Sequence, residues 1–323
     1  MHDDIKFAAI LSFMGQTRDR FQVWGPPHTL QEKVQRAAQV ENLAAVEVVY
    51  PQEFANVKIT KKLLDDAELL CSTVNVNIKG DPMFHMGGLT HPDAAVRAQA
   101  VAYLKEGMDI SVEMGCNMVT CCPLGDGHDY SFQMDYIQAW GWFIEGIREA
   151  AKHRDDVQLS LEYKANETRS RIIMGSATAA LHVCDQVGLE NVGVTIDIGH
   201  ALYAPETPSL SIAQLHHAGR LFLLHINDNY RNWDWDLVPG SVNWWDWIET
   251  MLYIEKVGYD GWVVSDVMPG RLDAIQVLNA VGRSITRAKN LLSKVDHNDL
   301  WAAIRSNDAM AAYDLFYKEL GVD

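Results

Sequence analysis

The feature that most constrains this chain is an alternation running through its whole length, in which short, apolar, β-rich runs are separated by longer stretches whose apolar residues recur at helical spacing. The strand candidates are Ile5–Leu11, Ala45–Val49, Ser72–Val76, Met118–Cys121, Gln158–Tyr163, Val192–Ile198, Leu221–Ile226 and Gly261–Val267. Between them, Leu30–Asn42, Pro92–Met114, Gln133–Lys152, Ala177–Val187, Trp244–Val257 and Leu272–Leu292 carry apolar residues three and four apart, the period that lines one face of a helix. Strands alternating with helices call for a parallel sheet with crossover helices. Eight such repeats favour closure into a (β/α)8 TIM barrel. An open doubly wound sheet is the alternative, but the first strand is not followed by the G-x-G-x-x-G turn of dinucleotide-binding sheets.

No Pro/Ser-rich linker or low-complexity run breaks the rhythm. Residues 1–293 therefore read as one barrel domain and residues 294–323 as a C-terminal helical tail. The tail carries Leu300, Trp301, Ile304, Met310, Tyr313, Leu315 and Phe316. It is expected either to pack on its own barrel or to clasp a neighbouring subunit, which makes a homo-oligomer, dimer or tetramer, the expected assembly.

Charge narrows the partners. With 27 Lys+Arg against 43 Asp+Glu, the net charge is −16, a balance that repels phosphodiester backbones and anionic membrane surfaces. Nucleic acid and membranes are thus not expected as partners, whereas neutral sugars and carboxylate-held divalent cations suit the sign. The five cysteines include no C-x-x-C pair, which argues against a disulfide framework or a structural zinc. Met1–Arg18 has acidic residues at once and no basic stretch before an apolar run, unlike a signal peptide. No apolar run reaches the roughly 18 residues of a membrane span. A soluble, cytoplasmic protein is the expectation.

In a barrel of this kind chemistry sits at the carboxyl ends of the strands, and four consecutive strands end in polar residues. The fifth, Leu159-Ser160-Leu161-Glu162-Tyr163-Lys164, places Glu162 and Lys164 two apart, on one side of the strand; a frayed, solvated strand end is the plain alternative. The sixth ends at Asp197, with Gly199 allowing a turn and His200 just beyond. Its alternative is an Asp that caps the next helix. The seventh ends in His225-Ile226-Asn227-Asp228 and is followed by Arg231-Asn232-Trp233-Asp234-Trp235-Asp236, where two carboxylates two apart in an extended loop reach one centre. The eighth contributes Asp266. Glu162, Asp197, His225 and Asp266 form a carboxylate and imidazole set suited to Mn2+, Mg2+ or Co2+.

At these residues the sequence resembles the xylose isomerase-like superfamily, and most closely the L-rhamnose isomerase and xylose isomerase pattern. Glu162-Tyr163-Lys164-Ala165-Asn166-Glu167 resembles the family's E-x-K-P-x-E stretch with Ala165 for the proline, Asp197-Ile198-Gly199-His200 its acid-x-x-His turn, and Asp234-Trp235-Asp236-Leu237 its D-x-D-L loop. The resemblance implies a divalent metal, Mn2+ first, held by Glu162, Asp197, His225 and Asp266, and a second ion held by His200, Asp234 and Asp236. It implies that Lys164 hydrogen-bonds the substrate oxygen that changes oxidation state. His128, Arg231 and Trp233 are the further candidates for substrate contact, with Lys79–His85 and Gly125–Tyr130 as specificity loops.

The activity so implied is aldose–ketose isomerisation by a metal-assisted hydride shift, with Glu162, Lys164, His200, Asp234, Asp236 and Asp266 as the catalytic candidates. Two other readings stand beside it. A single-metal ketose 3-epimerase keeps a similar four-ligand set but usually ends it with Glu rather than Asp266. A C-glycoside deglycosidase α subunit acting on 3-keto sugars needs a small second subunit and an aromatic mouth, which the ten tryptophans permit.

Overall fold

The computed structural model describes residues 5–19 and 21–322. Met1–Asp4, the opening of the stretch read above for a signal peptide, lie outside them. Eight parallel strands close into a barrel: β1 Lys6–Ile10, β2 Ala45–Tyr50, β3 Leu70–Val76, β4 Met118–Cys121, β5 Gln158–Glu162, β6 Val192–Asp197, β7 Leu221–Ile226 and β8 Trp262–Ser265, with β1 pairing to both β2 and β8. All eight sequence expectations fall on these strands with ends shifted by a few residues, and the (β/α)8 TIM barrel is the observed fold. Leu11, expected at the end of the first strand, instead opens a short 3-10 turn, Leu11–Met14.

Helices α1 Leu30–Ala37, α2 Val57–Asp66, α3 Ala94–Met114, α4 Tyr136–Ala151, α5 Ala177–Val187, α6 Ile198–Tyr203, α7 Pro208–His217, α8 Trp244–Lys256 and α9 Ala274–Lys294 follow the strands. Their starts are chemically marked. Thr29 and Glu32 form a reciprocal capping box on α1, and Asp93, Asp135 and Asp273 cap α3, α4 and α9 through side-chain acceptors, each satisfying amides the helix itself leaves unpaired. The extended loop expected at Asp234–Asp236 is instead bent, because Asp236 adopts a positive φ of 49°.

The main core lies between strands and helices, around Leu104, Met108, Phe143, Ile147, Ile196 and Leu278. A smaller cluster of Ala8, Ile10, Ala45, Leu223 and Val264 fills the barrel interior. The Thr195 hydroxyl bonds both the Thr120 hydroxyl at 2.9 Å and the Ser160 hydroxyl at 2.7 Å, so these three buried polar groups satisfy one another through Thr195. Past the eighth unit, α10 His297–Arg305 and α11 Ala309–Leu320 fold back on the same chain. Trp245 of α8 packs against Tyr313, Phe316 and Tyr317, and Tyr253 against Trp301. Among the described residues, no helix is long and apolar enough to cross a membrane.

Candidate active site

Strand register delivers the site. Asp197 of β6 lies directly beside His225 of β7, which lies beside Val264 of β8, and Glu162 closes β5 next to Thr195. Four polar residues thus leave adjacent strands at one height on the carboxyl face. Glu162, Asp197 and His225 are buried, and Asp266 is partly so. One potential ligand atom from each of the four lies within 4.8 Å of all the others.

The set fits a divalent cation. His225 Nε2 sits 3.0 Å from Glu47 Oε2. A carboxylate only accepts, so the ring proton belongs on Nε2 and the lone pair on Nδ1. That Nδ1 is buried without a hydrogen bond, 3.5 Å from Glu162 Oε2 and 3.5 Å from Asp266 Oδ2. A nitrogen facing two carboxylates calls for positive charge between them: without a metal the carboxylates favour a second ring proton on Nδ1, and a cation held there would take that proton's place. Glu47, fully buried on β2, also accepts from Asn75 Nδ2 at 2.6 Å. It reaches His225 across the barrel interior and has the placement of an outer carboxylate that fixes a ligand's tautomer.

A second set adjoins the first and shares Asp197. Asp197, His200 and Asp234 also bring donor atoms within 4.8 Å of one another. His200 Nδ1 lies 2.9 Å from the Tyr163 carbonyl, while Nε2 lies 3.1 Å from Asp234 Oδ2. Asp197 serves two purposes, since its Oδ1 accepts from the His200 amide at 2.8 Å and caps α6. The capping and ligand readings of this residue are therefore compatible.

Asn227 ties the sets together, donating to Asp197 Oδ2 at 3.0 Å and to Asp236 Oδ1 at 3.3 Å while accepting from the Gly199 amide at 2.6 Å. This explains Gly199 differently from the sequence reading. The residue lies in α6 rather than in a turn, and a Cβ there would fall 2.3 Å from Asn227 Oδ1. Close approach, not backbone freedom, requires the glycine.

Electrostatics mark a site with surplus negative charge. Burial, joined by Asp266, Asp234 and Glu162, pushes the Asp197 carboxyl up to about 7. Burial and the carboxylates of Asp234, Asp266 and Asp197 also raise Asp236 well above the usual range. Burial works against charge on His200, but Asp197 and Asp234 overcome it and raise the imidazole to about 9. The same opposition at His225 is overcome by Glu47 and Glu162, which raise it strongly. Burial would raise Glu162, yet His225 and His200 hold it at about 2. A cation placed here would supply positive charge that this cluster of buried carboxylates otherwise draws from His200 and His225.

The remaining candidates divide. Lys164 is buried, pairs with Glu167, and places Nζ 2.9 Å from Asp234 Oδ2, so it sits at the second set. Asp236 borders that set through Asn227 but is in neither donor group. Trp233 packs edge-on against Tyr203, with ring centres 5.6 Å apart. His128 lies on a two-stranded ribbon with Arg171–Ile172 and touches Tyr136. Arg231 turns to α8, donating to Asn243 at 3.0 Å and to Asp246 at 2.6 Å, and is engaged away from both donor sets.

A closed (β/α)8 barrel with carboxylates and imidazoles converging on its carboxyl face is the scaffold of a small-molecule enzyme. The chain belongs to the xylose isomerase-like TIM barrel family, whose profile matches residues 34–280. It is 29% identical over 213 residues to the xylose isomerase of Thermus caldophilus, covering 64% of this chain and 54% of that enzyme. It is 24% identical over 315 residues to a Rhizobium meliloti protein named probable sugar isomerase, covering 91% of this chain and 71% of that one. The chain thus spans about half the length of the Thermus enzyme. Among solved structures it resembles a D-tagatose 3-epimerase-like protein, with a TM-score of 0.70 at 18% identity over 89% of this chain and 100% of that one. It also resembles the D-allulose 3-epimerase of a Methylomonas species, with a TM-score of 0.69 at 16% identity over 88% and 97%. At these identities the likeness is one of fold.

Proposed function

We propose that the protein is a divalent-metal-dependent sugar isomerase that interconverts an aldose and a ketose. The observation that carries this reading is the pair of donor sets sharing Asp197, with the Lys164 ammonium against Asp234. A single-ion epimerase needs the first set only. Glu162, Asp197, His225 and Asp266 would hold one ion, with Mn2+ preferred and Mg2+ or Co2+ accepted. His200 and Asp234, with Asp197 shared and Asp236 alongside, would hold a second. Bound there, such ions would act as Lewis acids on two neighbouring substrate oxygens.

The chain's own groups do the rest. Lys164 stays charged, because Asp234 and Glu167 outweigh the cost of burial, and donates a hydrogen bond to the oxygen that alternates between hydroxyl and carbonyl. Asp234, held ionised against burial by His200 and Lys164, accepts the proton that leaves the neighbouring hydroxyl. The C2 hydrogen then passes to C1 with its electron pair, the C2 oxygen becomes the carbonyl, and the proton taken up by Asp234 is returned to the new C1 alkoxide. Trp233, braced by Tyr203, and His128, braced by Tyr136, would serve as walls that limit water entry around the sugar. The near-fully exposed Phe132 and Ile137 support association into a homo-oligomer, which sedimentation would test.

The test is a screen of aldoses, ketoses and 3-keto glycosides using chelated protein resupplied with Mn2+. Aldose–ketose conversion is expected, with deuterium placed on aldose C2 retained in the ketose. Ketose-to-ketose conversion without aldose would replace this reading with the 3-epimerase. Cleavage of aryl C-glycosides, or co-purification of a small second chain, would replace it with the deglycosidase.

A further inference from the structure

We propose that Cys122, Glu162 and His200 form a softer binding set at the barrel mouth, one that captures thiophilic divalent cations such as Zn2+ or Cd2+ and thereby blocks the working site. The Cys122 sulfur, a Glu162 oxygen and a His200 ring nitrogen all lie within 4.8 Å of one another. Each of the three residues is only 3% exposed. No hydrogen bond to the Cys122 sulfur is made among the described residues, and the charges nearest it are those of Glu162, Lys79 and Lys164, so a buried thiol faces two ligand-type groups without a hydrogen bond to hold it.

Donor chemistry separates this set from its neighbours. The other two contain only carboxylates and imidazoles, which suit hard and borderline ions. A thiolate, an imidazole and a carboxylate together are the donors zinc prefers. Ligand distances of about 2.0–2.3 Å put tetrahedral donors roughly 3.3–3.7 Å apart; His200 Nδ1 already lies 3.2 Å from Glu162 Oε1, and the three donors lie within 4.8 Å of one another. On binding, the thiol proton leaves to solvent and sulfur bonds the cation. A hard ion gains little from the thiol, so with Mn2+ or Mg2+ Cys122 remains a bystander.

Sharing makes the sets mutually exclusive. Glu162 belongs to the four-residue set and His200 to the set with Asp234, so a soft cation on Cys122 removes one ligand from each. The inference shares with the functional reading the view that Glu162 and His200 bind ions. It is independent of which sugar reacts.

Titrating metal-stripped protein with Cd2+ while recording the ultraviolet thiolate-to-cadmium charge-transfer band tests it. The wild type should develop the band at one equivalent, excess Mn2+ should suppress it, and Cys122→Ser should lack it while still binding Mn2+. Should the serine variant lose Mn2+ binding, Cys122→Ala replaces it, and the Mn2+ competition on the wild type stands without any variant. A band that persists in the variant, a band insensitive to Mn2+, or no band in the wild type overturns the proposal. Failure of Mn2+ to bind the wild type would count against the functional reading instead.

Discussion

Replacing Glu47 with Gln should weaken divalent-ion binding about 10- to 100-fold, although residue 47 is in neither hard-ion set. Glu47 and His225 are both fully buried, and Glu47 accepts two hydrogen bonds, from His225 Nε2 at 3.0 Å and from Asn75 Nδ2 at 2.6 Å. A glutamine keeps the shape but offers one acceptor oxygen and one donor group. If its oxygen faces His225, Asn75 must flip its amide, and only the stabilising charge is lost. If its amide faces His225, the ring must move its proton to Nδ1, the atom directed at Glu162 and Asp266. The first outcome sits near the lower end of the effect known for outer carboxylates of ligating histidines, about tenfold, and the second near or beyond 100-fold. These correspond to about 1.4 and 2.7 kcal/mol. Calorimetric titration of chelated Glu47→Gln with Mn2+ at fixed pH reads the change, with thermal unfolding as a check on the fold. Wild-type affinity in a folded variant would refute the reasoning that Glu47 fixes the tautomer of His225.

Three further outcomes follow from the geometry. Gly199→Ala should displace Asn227, since the new Cβ falls 2.3 Å from its Oδ1; a stability loss of about 1–3 kcal/mol and weaker Mn2+ binding are expected, and a wild-type melting curve with unchanged affinity would contradict this. Lys164→Met should cut kcat far more than it changes Mn2+ affinity, with kinetics and titration compared on one preparation; equal losses in both would make Lys164 a support of the ion site. Mn2+ binding should strengthen as pH rises from 6 to 8, because His200 near 9 and Asp197 near 7 hold protons that ligation must displace, by about tenfold per pH unit for each proton released. In the metal-free protein the sign is opposite: the stability from His200, raised from 6.5, is fully present below that value and is lost as pH climbs through about 9. Melting temperatures with and without Mn2+ should therefore diverge between pH 7 and 9, and parallel curves would count against this balance.

The barrel is legible in the sequence because both of its signals are local: apolar runs a few residues long and helical periodicity between them. Helices α2 and α7 escape that reading, since Val57–Asp66 and Pro208–His217 are short and bury few apolar side chains, Leu64 beside the polar Thr60 in one and Pro208, Ile212 and Leu215 in the other. The strand-end residues Glu162, Asp197, His225 and Asp266 stand out because each interrupts or ends an apolar run. Glu47 does not, because its meaning lies in a partner on β7, reached across the barrel rather than along the chain. Its one sequence signal is an acid in the middle of Ala45–Tyr50, a strand otherwise without charge. Arg231 illustrates the converse, as its position beside Trp233 and Asp234 suggests the mouth, but Asp246 in the first turn of α8 captures it. Cys122 is likewise invisible from spacing, since only the closed barrel brings it beside Glu162 and His200.

The central claim, that ions held at the two sets sharing Asp197 make this chain a sugar isomerase, is tested most directly by following aldose-to-ketose conversion as Mn2+ is titrated into chelated protein, with bound ion counted in the same samples. The account expects no conversion without metal and a rate that climbs with occupancy to about two ions per chain. Full activity in metal-free protein would contradict it.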